Sequence, residues 1–345
     1  MAEMRIGSDA VTRSAAASLL SVRDLQVEFT TAAGVARALD GVSFDVSPGE
    51  TLAILGESGS GKSVTGQAVM ALLPKPAGSI VGGSIVYDGL DLTARPVKDV
   101  RKLCATEIAM VFQDPLSSLN PVFQVGYQVA EPFRRRLGMG KREAWGKALE
   151  LLKRVGIPDA ETRIGDYPHQ FSGGQRQRIM IAMAIALEPR LLIADEPTTA
   201  LDVTVQKQII ALLADLQAET GMAMILISHD LGVVAQVAER AAIMYAGRIV
   251  ETGPIREVYD RPAHPYTRGL LDSIPSAAEI GGRLTPIVGS PPNLLALPSG
   301  CSFNPRCPFA TDRCRTKVPA LRQPASRGSD HAAGCHYSEE VLADA

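Results

Sequence analysis

The chain has few aromatic residues, almost no net charge and no long apolar run. Aromatic residues make up 5% of its 345 residues, and the formal net charge is −2. Because proteins that bind nucleic acid non-specifically usually carry a basic face or a high pI, this balance favours no nucleic-acid partner. The longest apolar run, IMIAMAIAL at residues 179–187, falls well short of the roughly 20 residues that cross a bilayer. We therefore expect no transmembrane helix.

The sequence does contain enough apolar residues for a folded core. Hydrophobic residues are 46% of the chain and charged residues 21%, which is typical of a globular protein. The length allows a full α/β core and one small additional domain. Polar and charged side chains interrupt residues 1–18, so we interpret this segment as a disordered lead-in to a cytoplasmic protein.

The stretch GESGSGKS, residues 56–63, follows the apolar run TLAIL and precedes a segment with helical spacing. Glycines let successive backbone N–H groups curl around an anion. The spacing fits a P-loop, in which backbone amides hold phosphates, the lysine reaches the β/γ oxygens and the serine ligates Mg²⁺. An ordinary Gly/Ser turn is the alternative. The predicted nucleotide-binding residues are Gly56, Ser58, Gly59, Ser60, Gly61, Lys62, Ser63 and Val64.

Two further motifs carry polar residues, one at the end of an apolar strand and one at the start of a helix. LLIADE, residues 191–196, indicates a buried strand that ends in two carboxylates, where α/β sheets place ligands. Asp195 is then placed to hold Mg²⁺ and Glu196 to orient the attacking water, with a strand-end cap as the alternative. FSGGQRQR, residues 171–178, opens a helix with a serine and two glycines, which makes a second anion site.

The rest of the pattern divides the chain into segments. Apolar and polar residues partly alternate in segments 18–29 and 36–47, which favours an antiparallel, half-exposed sheet. The pattern of residues 82–92 indicates another strand pair. Residues 98–157 have a helical pattern, and AMILIS at 223–228 indicates another buried strand. From about Arg261 prolines interrupt any long helix.

Together, GESGSGKS, FSGGQ, LLIADE and the histidine of LISHD resemble the Walker A, signature, Walker B and switch motifs of ABC-transporter ATPase subunits. The resemblance covers about residues 19–258. It implies an α/β P-loop NTPase fold with a RecA-like core and an antiparallel β subdomain, in an ATPase domain at 19–260. A helical signature subdomain is expected at about 98–175.

The same resemblance implies roles for further residues in binding Mg²⁺ and in binding and hydrolysing ATP. Gln113 would contact Mg²⁺ or water as the Q-loop residue, Asp202 would belong to the D-loop, and His229 would contact the γ-phosphate. Phe29 would stack on adenine. For His229 and Phe29, packing in the core is the alternative.

In this family two ATPase domains face each other head to tail. Ser172, Gly173, Gly174 and Gln175 are therefore expected at the nucleotide of a second ATPase subunit, and a paralogue is favoured. The resemblance also implies two permease chains, an extracytoplasmic substrate-binding protein and a peripheral location at the cytoplasmic face of the membrane. A soluble ABC ATPase of DNA repair or translation and a catalytically dead subunit are the alternatives. The chain lacks the coiled coil or zinc insertion expected of the DNA-repair class and the second ATPase unit expected of the translation class. It also keeps the catalytic and signature residues of which a dead subunit would lack at least one.

A narrower resemblance rests on FQDPLSSLNP at 112–121, YPHQFSGGQRQR at 167–178 and RPAHPYTRGLL at 261–271. With the terminal cysteines, these segments are similar to the dipeptide/oligopeptide importer subfamily. The resemblance implies a C-terminal extension at 261–345 and import of peptides. Related members import nickel, glutathione or sugars, so these remain alternative cargoes.

Four of the five cysteines lie in the proline-rich tail, with the spacing C-x5-C-x6-C-x20-C: Cys301, Cys307, Cys314 and Cys335. Because disulfides are disfavoured in a reducing cytoplasm, metal ligation gives these thiols a reason to converge. The importer resemblance suggests a [4Fe–4S] cluster, with zinc next and unligated or partly paired thiols as a third interpretation. Cys104 is not expected to take part.

Overall fold

The computed structural model describes residues 18–104, 106–199, 201–273, 286–325 and 330–343, so nearly all of the expected disordered lead lies outside it. The strands in these ranges are β1 (Leu20–Thr31), β2 (Gly34–Val46), β3 (Thr51–Leu55), β4 (Gly78–Tyr87), β5 (Leu90–Asp91), β6 (Ile108–Val111), β7 (Leu191–Asp195), β8 (Ala223–Ser228), β9 (Arg240–Tyr245), β10 (Arg248–Pro254) and β11 (Ala332–Ala333). The helices are α1 (Lys62–Val69), α2 (Val97–Cys104), α3 (Pro115–Ser118), α4 (Val125–Arg136), α5 (Lys141–Arg154), α6 (Ala160–Arg163), α7 (Gly173–Ile185), α8 (Val203–Thr220), α9 (Leu231–Val234), α10 (Ile255–Asp260), α11 (Pro265–Asp272), α12 (Asp312–Thr316) and α13 (Ser338–Ala343).

The first sheet is antiparallel and has the order β2-β1-β4-β5. Buried and exposed residues alternate along its strands because one face of the sheet packs on the core while the other faces solvent. On β1, for example, Val22 is fully buried between Phe44 of β2 and Ile85 of β4. The structure thus confirms the predicted half-exposed sheet and the additional strand pair.

The second sheet has the order β11-β10-β9-β3-β8-β7-β6 and is parallel from β9 to β6. Its central strands β3, β7 and β8 are buried along their whole length, as their continuous apolar sequences predict. Parallel strands end at the same edge of a sheet, so the P-loop after β3, the carboxylates after β7 and the histidine after β8 meet there.

One prediction from the helical pattern of residues 98–157 was wrong. Ile108–Val111 forms β6, which pairs with β7 at the edge of the core sheet. Its four residues are too few for periodicity to separate a buried strand from a helix. Helices flank β6 on both sides along the chain, and α5 begins at Lys141 as expected. No helix in the described ranges combines the length and apolarity needed to cross a membrane.

The C-terminal segment joins the core sheet through a buried carboxylate. Strand β11 pairs with β10, and the fully buried Glu251 of β10 accepts hydrogen bonds from the backbone N–H groups of Ala263 and His264. The imidazole Nε2 of buried His331 lies 2.7 Å from Oε1 of Glu251. These contacts satisfy an acidic group that would be costly to bury alone, and they fix the C-terminal segment on the core sheet.

Candidate active site

The P-loop runs very close to two neighbouring strands. Gly56 has φ +151° and Gly61 has φ +105°, and both values favour glycine. A Cβ atom on Gly56 would lie 2.2 Å from the carbonyl oxygen of Met244, and one on Gly61 would lie 2.8 Å from that of Ala38. The hydroxyl of Ser60 is buried in this loop without a partner among the described residues. Since buried polar atoms usually have a partner, this hydroxyl suits a ligand oxygen.

Lys62 and Ser63 begin α1 and turn their side chains toward the site. Lys62 Nζ donates to the carbonyl oxygens of Gly56 at 2.8 Å and Glu57 at 3.1 Å, and burial lowers the pKa of its ammonium group. Ser63 Oγ donates to Asp195 Oδ1 at 2.9 Å. Burial raises the pKa of Asp195, and the hydrogen bond from Ser63 opposes that change. A hydroxyl beside a carboxylate provides the hard oxygen atoms that Mg²⁺ prefers, so this pair fits the metal.

Glu196 is the centre of the side-chain contacts. Its Oε2 accepts hydrogen bonds from Gln113 Nε2 and Thr199 Oγ1, both at 2.9 Å, and lies 3.5 Å from His229 Nδ1. Its Oε1 lies 3.7 Å from Lys62 Nζ. Its φ of +45° is uncommon outside glycine, a kind of strain that clusters at functional sites. The structure therefore brings Lys62, Gln113 and His229 together around one carboxylate.

Thr199 is a site residue that the sequence interpretation missed. Its hydroxyl reaches Glu196 because the chain turns after β7, where Thr199 N–H also donates to the Glu196 carbonyl oxygen. A hydroxyl residue three positions after the carboxylate is the available sequence signal. It is a weak one, since threonine is common in turns.

The signature residues lie at the start of α7. The Ser172 hydroxyl accepts from Gln175 N–H, and Gln175 Oε1 accepts from Ser172 N–H, which makes a capping box. A Cβ on Gly174 would lie 2.6 Å from Val205 Cγ1, so this turn packs on the start of α8. Asp202 caps α8 by accepting from the backbone N–H groups of Thr204 and Val205. Among the described residues, no hydrogen bond joins this group to the P-loop or Glu196.

Phe29 lies on β1, away from the cluster around Glu196. Its ring is half-buried against the core of the antiparallel sheet. It covers Gly78 of β4, where a Cβ would lie 2.9 Å from Phe29 Cε1. This contact explains why residue 78 is a glycine. It agrees both with packing in the core and with stacking on adenine, so the stacking stays a prediction.

The four tail cysteines line one small cavity beside the start of α11, together with His264 and Phe303: Cys301, Cys307, Cys314 and Cys335. Burial raises the pKa of Cys307 to about 11 and that of Cys335 to about 12, so both are neutral thiols in the metal-free protein. In the described ranges, no group of three or more His, Cys, Asp or Glu side chains is arranged to hold a metal ion. Cys104 lies elsewhere, with its Sγ 3.9 Å from the Val69 carbonyl oxygen.

Two protein-family models match the chain. Residues 39–199 match the ABC transporter model, and residues 250–314 match the model described as oligopeptide/dipeptide transporter, C-terminal region. A relative from Brucella melitensis, named for peptide import and ATP binding, is 49% identical over 94% of this chain and 98% of its own. The dipeptide transport ATP-binding protein DppD of Bacillus subtilis is 48% identical over 93% and 95%.

Solved structures agree with this match. The ATP-binding cassette MJ0796, solved as a dimer in a post-hydrolysis state with ADP and Pi, has a TM-score of 0.62 and 28% identity. The alignment covers 69% of this chain and 99% of the cassette. A second match is cbiO1 from Clostridium perfringens, with a TM-score of 0.61 and 30% identity over 70% and 91% of the two chains.

The fold and these matches define a P-loop ATPase of the ATP-binding-cassette class, which confirms the predicted α/β fold and its RecA-like core. The chain belongs to the family of ABC transporter ATP-binding proteins, in which ATP hydrolysis is coupled to transport.

Proposed function

We propose that this chain hydrolyses ATP to drive the import of dipeptides or oligopeptides through a membrane ABC transporter. Two findings support the peptide cargo: the names of its relatives, and the match of residues 250–314 to the oligopeptide/dipeptide transporter model. Nickel and glutathione are the alternative cargoes. The proposed location is the cytoplasmic face of the membrane, where the chain associates peripherally with the permeases.

The observation that carries the chemistry is the convergence of Lys62, Gln113 and His229 on Glu196. In this proposal the Glu196 carboxylate orients the attacking water and accepts its proton. The P-loop amides and Lys62 bind the phosphates, and His229 contacts the γ-phosphate. Ser63, Asp195 and Gln113 would hold Mg²⁺, which would supply charge neutralisation for the phosphates.

A second ATPase subunit completes the site in this proposal. Ser172 and Gly173 are exposed at the start of α7, which supports their availability to another chain. With Gly174 and Gln175 they would contact the nucleotide held by that subunit, and Asp202 would lie at the shared interface. We favour a paralogue as the second subunit. Hydrolysis then depends on closure of the two chains around ATP.

Residues 113–128 form the proposed contact surface for the permeases. Several apolar side chains are exposed there, including Leu116 at 61% and Val122 at 71%. Phe123 and Tyr127 stack with ring centroids 5.3 Å apart, and Phe123 is 46% exposed. Large apolar side chains clustered on a surface are typical of a protein interface. Two permease chains and an extracytoplasmic substrate-binding protein would complete the transporter.

A [4Fe–4S] cluster is a second proposal, for the tail. It is supported by the four cysteines that line one cavity, since four cysteine thiolates are the usual ligand set. A single zinc ion is the alternative. The described residues contain no group of three or more His, Cys, Asp or Glu side chains arranged around a metal ion, which counts against the cluster and the zinc ion alike. The cluster would act structurally by tying the extension together.

The proposed division of the chain is an ATPase domain at 19–260 and an extension at 261–345, with the helical subdomain at about 98–175. Strand β6 belongs to the core sheet although it lies inside the last range. The helices that the subdomain would comprise are therefore α3 to α6 and the turn before α7, and α7 itself returns to the core.

Reconstitution of the assembled transporter in proteoliposomes tests the function. ATP hydrolysis should increase when the cognate binding protein is loaded with a dipeptide or oligopeptide, and radiolabelled peptide should accumulate inside. Stimulation by nickel or glutathione instead of peptide would contradict the cargo and leave the ATPase role intact. Recovery of the chain only as a DNA- or ribosome-bound species, without multispanning membrane chains, would contradict the transport role itself.

A further inference from the structure

Glu57 is the first residue that the P-loop motif leaves unspecified, and all its polar groups are occupied. Its carboxylate accepts two hydrogen bonds from Arg306, from Nη1 to Oε2 at 2.6 Å and from Nη2 to Oε1 at 3.0 Å. Its backbone N–H donates to the Tyr266 hydroxyl at 2.7 Å, and its carbonyl oxygen accepts from Lys62 Nζ at 3.1 Å. Two of these three partners come from beyond residue 260, so the extension contacts the P-loop directly.

Arg306 is held firmly in this position. Its side chain is only 5% exposed, and it also donates to the carbonyl oxygen of Val288 at 3.1 Å and to the Tyr245 hydroxyl at 3.4 Å. The ion pair with Glu57 raises the pKa of the guanidinium further. A planar guanidinium that meets a carboxylate with two hydrogen bonds is a strong and directional contact.

Three aromatic rings support the same junction. Tyr245 of β9 lies 4.6 Å from Tyr266 of α11 and 5.2 Å from Phe303, measured between ring centroids, and the other two rings are 5.4 Å apart. Such packing fixes the Tyr266 hydroxyl beneath Glu57. It also fixes the short helical turn Asn304–Arg306, which follows Phe303 and ends next to Cys307.

The charge of Glu57 matters because of where it lies. Glu57 belongs to the P-loop itself, between Gly56 and Ser58, and its carbonyl oxygen accepts a hydrogen bond from Lys62 Nζ at 3.1 Å. The triphosphate of ATP is anionic, so an uncompensated carboxylate at this place would repel it. In this structure Arg306 pairs with that carboxylate through two hydrogen bonds.

We propose that Arg306 of the C-terminal extension is a positioning residue for the nucleotide site, because it compensates the charge of Glu57 beside the phosphates and thereby sets the affinity for ATP. The inference rests on the proposed role of the P-loop in ATP binding. It makes the extension a part of the nucleotide site and not only an attachment to the core.

The test is the affinity of the purified full-length chain for a fluorescent ATP analogue with Mg²⁺. Arg306→Gln should weaken binding by about tenfold, because it leaves the carboxylate unpaired near the phosphates. Glu57→Gln should bind as well as the wild type or better. The double variant should return to within about threefold of the wild type, because the repelling charge is gone. Arg315→Gln is the matched control, since Arg315 pairs with Asp312 on the surface of the same extension.

A purely structural contact predicts a different pattern, in which both single variants weaken binding and the double variant is no better. That pattern, or unchanged affinity in a folded Arg306→Gln protein, would overturn the proposal. If Arg306→Gln does not fold, Glu57→Gln alone decides, because weaker binding contradicts charge compensation. Lys62→Ala distinguishes failure of the proposed function from failure of the role of Arg306. If Lys62→Ala leaves the affinity for the ATP analogue unchanged, the P-loop assignment is contradicted. If Lys62→Ala weakens binding and Arg306→Gln does not, only the role of Arg306 is contradicted.

Discussion

The side-chain amide of Gln113 donates a hydrogen bond to Glu196 Oε2 at 2.9 Å. Gln113 lies two residues after β6, and the exposed apolar surface at residues 113–128 begins with it. Glu196 follows β7, the neighbouring strand of the core sheet. A shift of the loop after β6 would therefore change a contact of the proposed catalytic base. This arrangement would connect the proposed permease surface to the proposed catalytic base through a single hydrogen bond.

Replacing Glu196 with glutamine should stop hydrolysis while ATP binding is retained. Glutamine keeps the size and one oxygen of the side chain, but it cannot accept a proton from water. We expect kcat in the assembled transporter to fall by about 100-fold or more, the usual contribution of a general base. Nucleotide affinity should stay near the wild-type value, and the two ATPase subunits should remain closed around ATP.

Two further variants act as controls for this experiment. Lys62→Ala should weaken nucleotide binding itself, because the ammonium group that reaches the phosphates is lost. Thr199→Val removes one hydrogen bond to Glu196 Oε2 and keeps the shape of the side chain, so it should reduce kcat far less than Glu196→Gln. Near-normal turnover in Glu196→Gln would contradict the role given to the carboxylate.

The parts of the site that could be predicted from the sequence are those that follow a buried strand. The P-loop, Asp195 and Glu196 each come directly after a continuous apolar run, and parallel strands bring such positions to one edge. The role of His229, which follows β8, was implied by the family resemblance. Gln113 was found through family resemblance, because its strand of four residues has no clear periodicity.

Contacts between distant parts of the chain could not be predicted. Arg306 and Tyr266 reach Glu57 across separations of 249 and 209 residues, and no local pattern encodes such contacts. Strand β11 was also missed, because its two alanines carry no apolar run. It forms because the buried pair of His331 and Glu251 holds that segment against β10.

The proposed permease surface can be tested by site-specific crosslinking in the assembled transporter. A photoreactive amino acid at Val122, which is 71% exposed, should crosslink to a permease chain. The matched control is Val318, which is 50% exposed and lies in the extension. Crosslinks to a permease from Val318 and none from Val122 would contradict the assignment of residues 113–128.

The buried histidine of α11's N-cap should make stability depend on pH. Complete burial lowers the pKa of His264 from 6.5 to about 3, so the folded protein keeps it neutral while the unfolded chain binds a proton below pH 6.5. The stability contributed by the neutral form is therefore present at pH 7 and is lost as the pH falls. Between pH 7 and pH 5, this group should lower the free energy of unfolding by about 2 kcal/mol.

Urea denaturation at the two pH values measures this effect. His264→Asn keeps an acceptor for the Tyr266 N–H and does not titrate, so its free energy of unfolding should fall by about 2 kcal/mol less than that of the wild type. His169→Asn replaces an exposed histidine and should keep the wild-type dependence. Equal pH dependence in His264→Asn and the wild type would show that burial of this ring does not control its protonation.

The proposed cluster in the tail predicts a metal content that one cysteine controls. Protein purified without oxygen should contain about four iron atoms and matching acid-labile sulfide per chain, because a [4Fe–4S] cluster is held by four thiolates. Cys307→Ser should lose most of this iron and make the extension more sensitive to proteolysis, since its ligand set is incomplete. Cys104→Ser is the matched control, because Cys104 is buried against Val69 far from the cavity, and it should keep the iron.

About one zinc per chain would instead favour the tetrahedral site. Wild-type protein with neither metal, and with unchanged proteolysis in Cys307→Ser, would rule out metal ligation by these thiols.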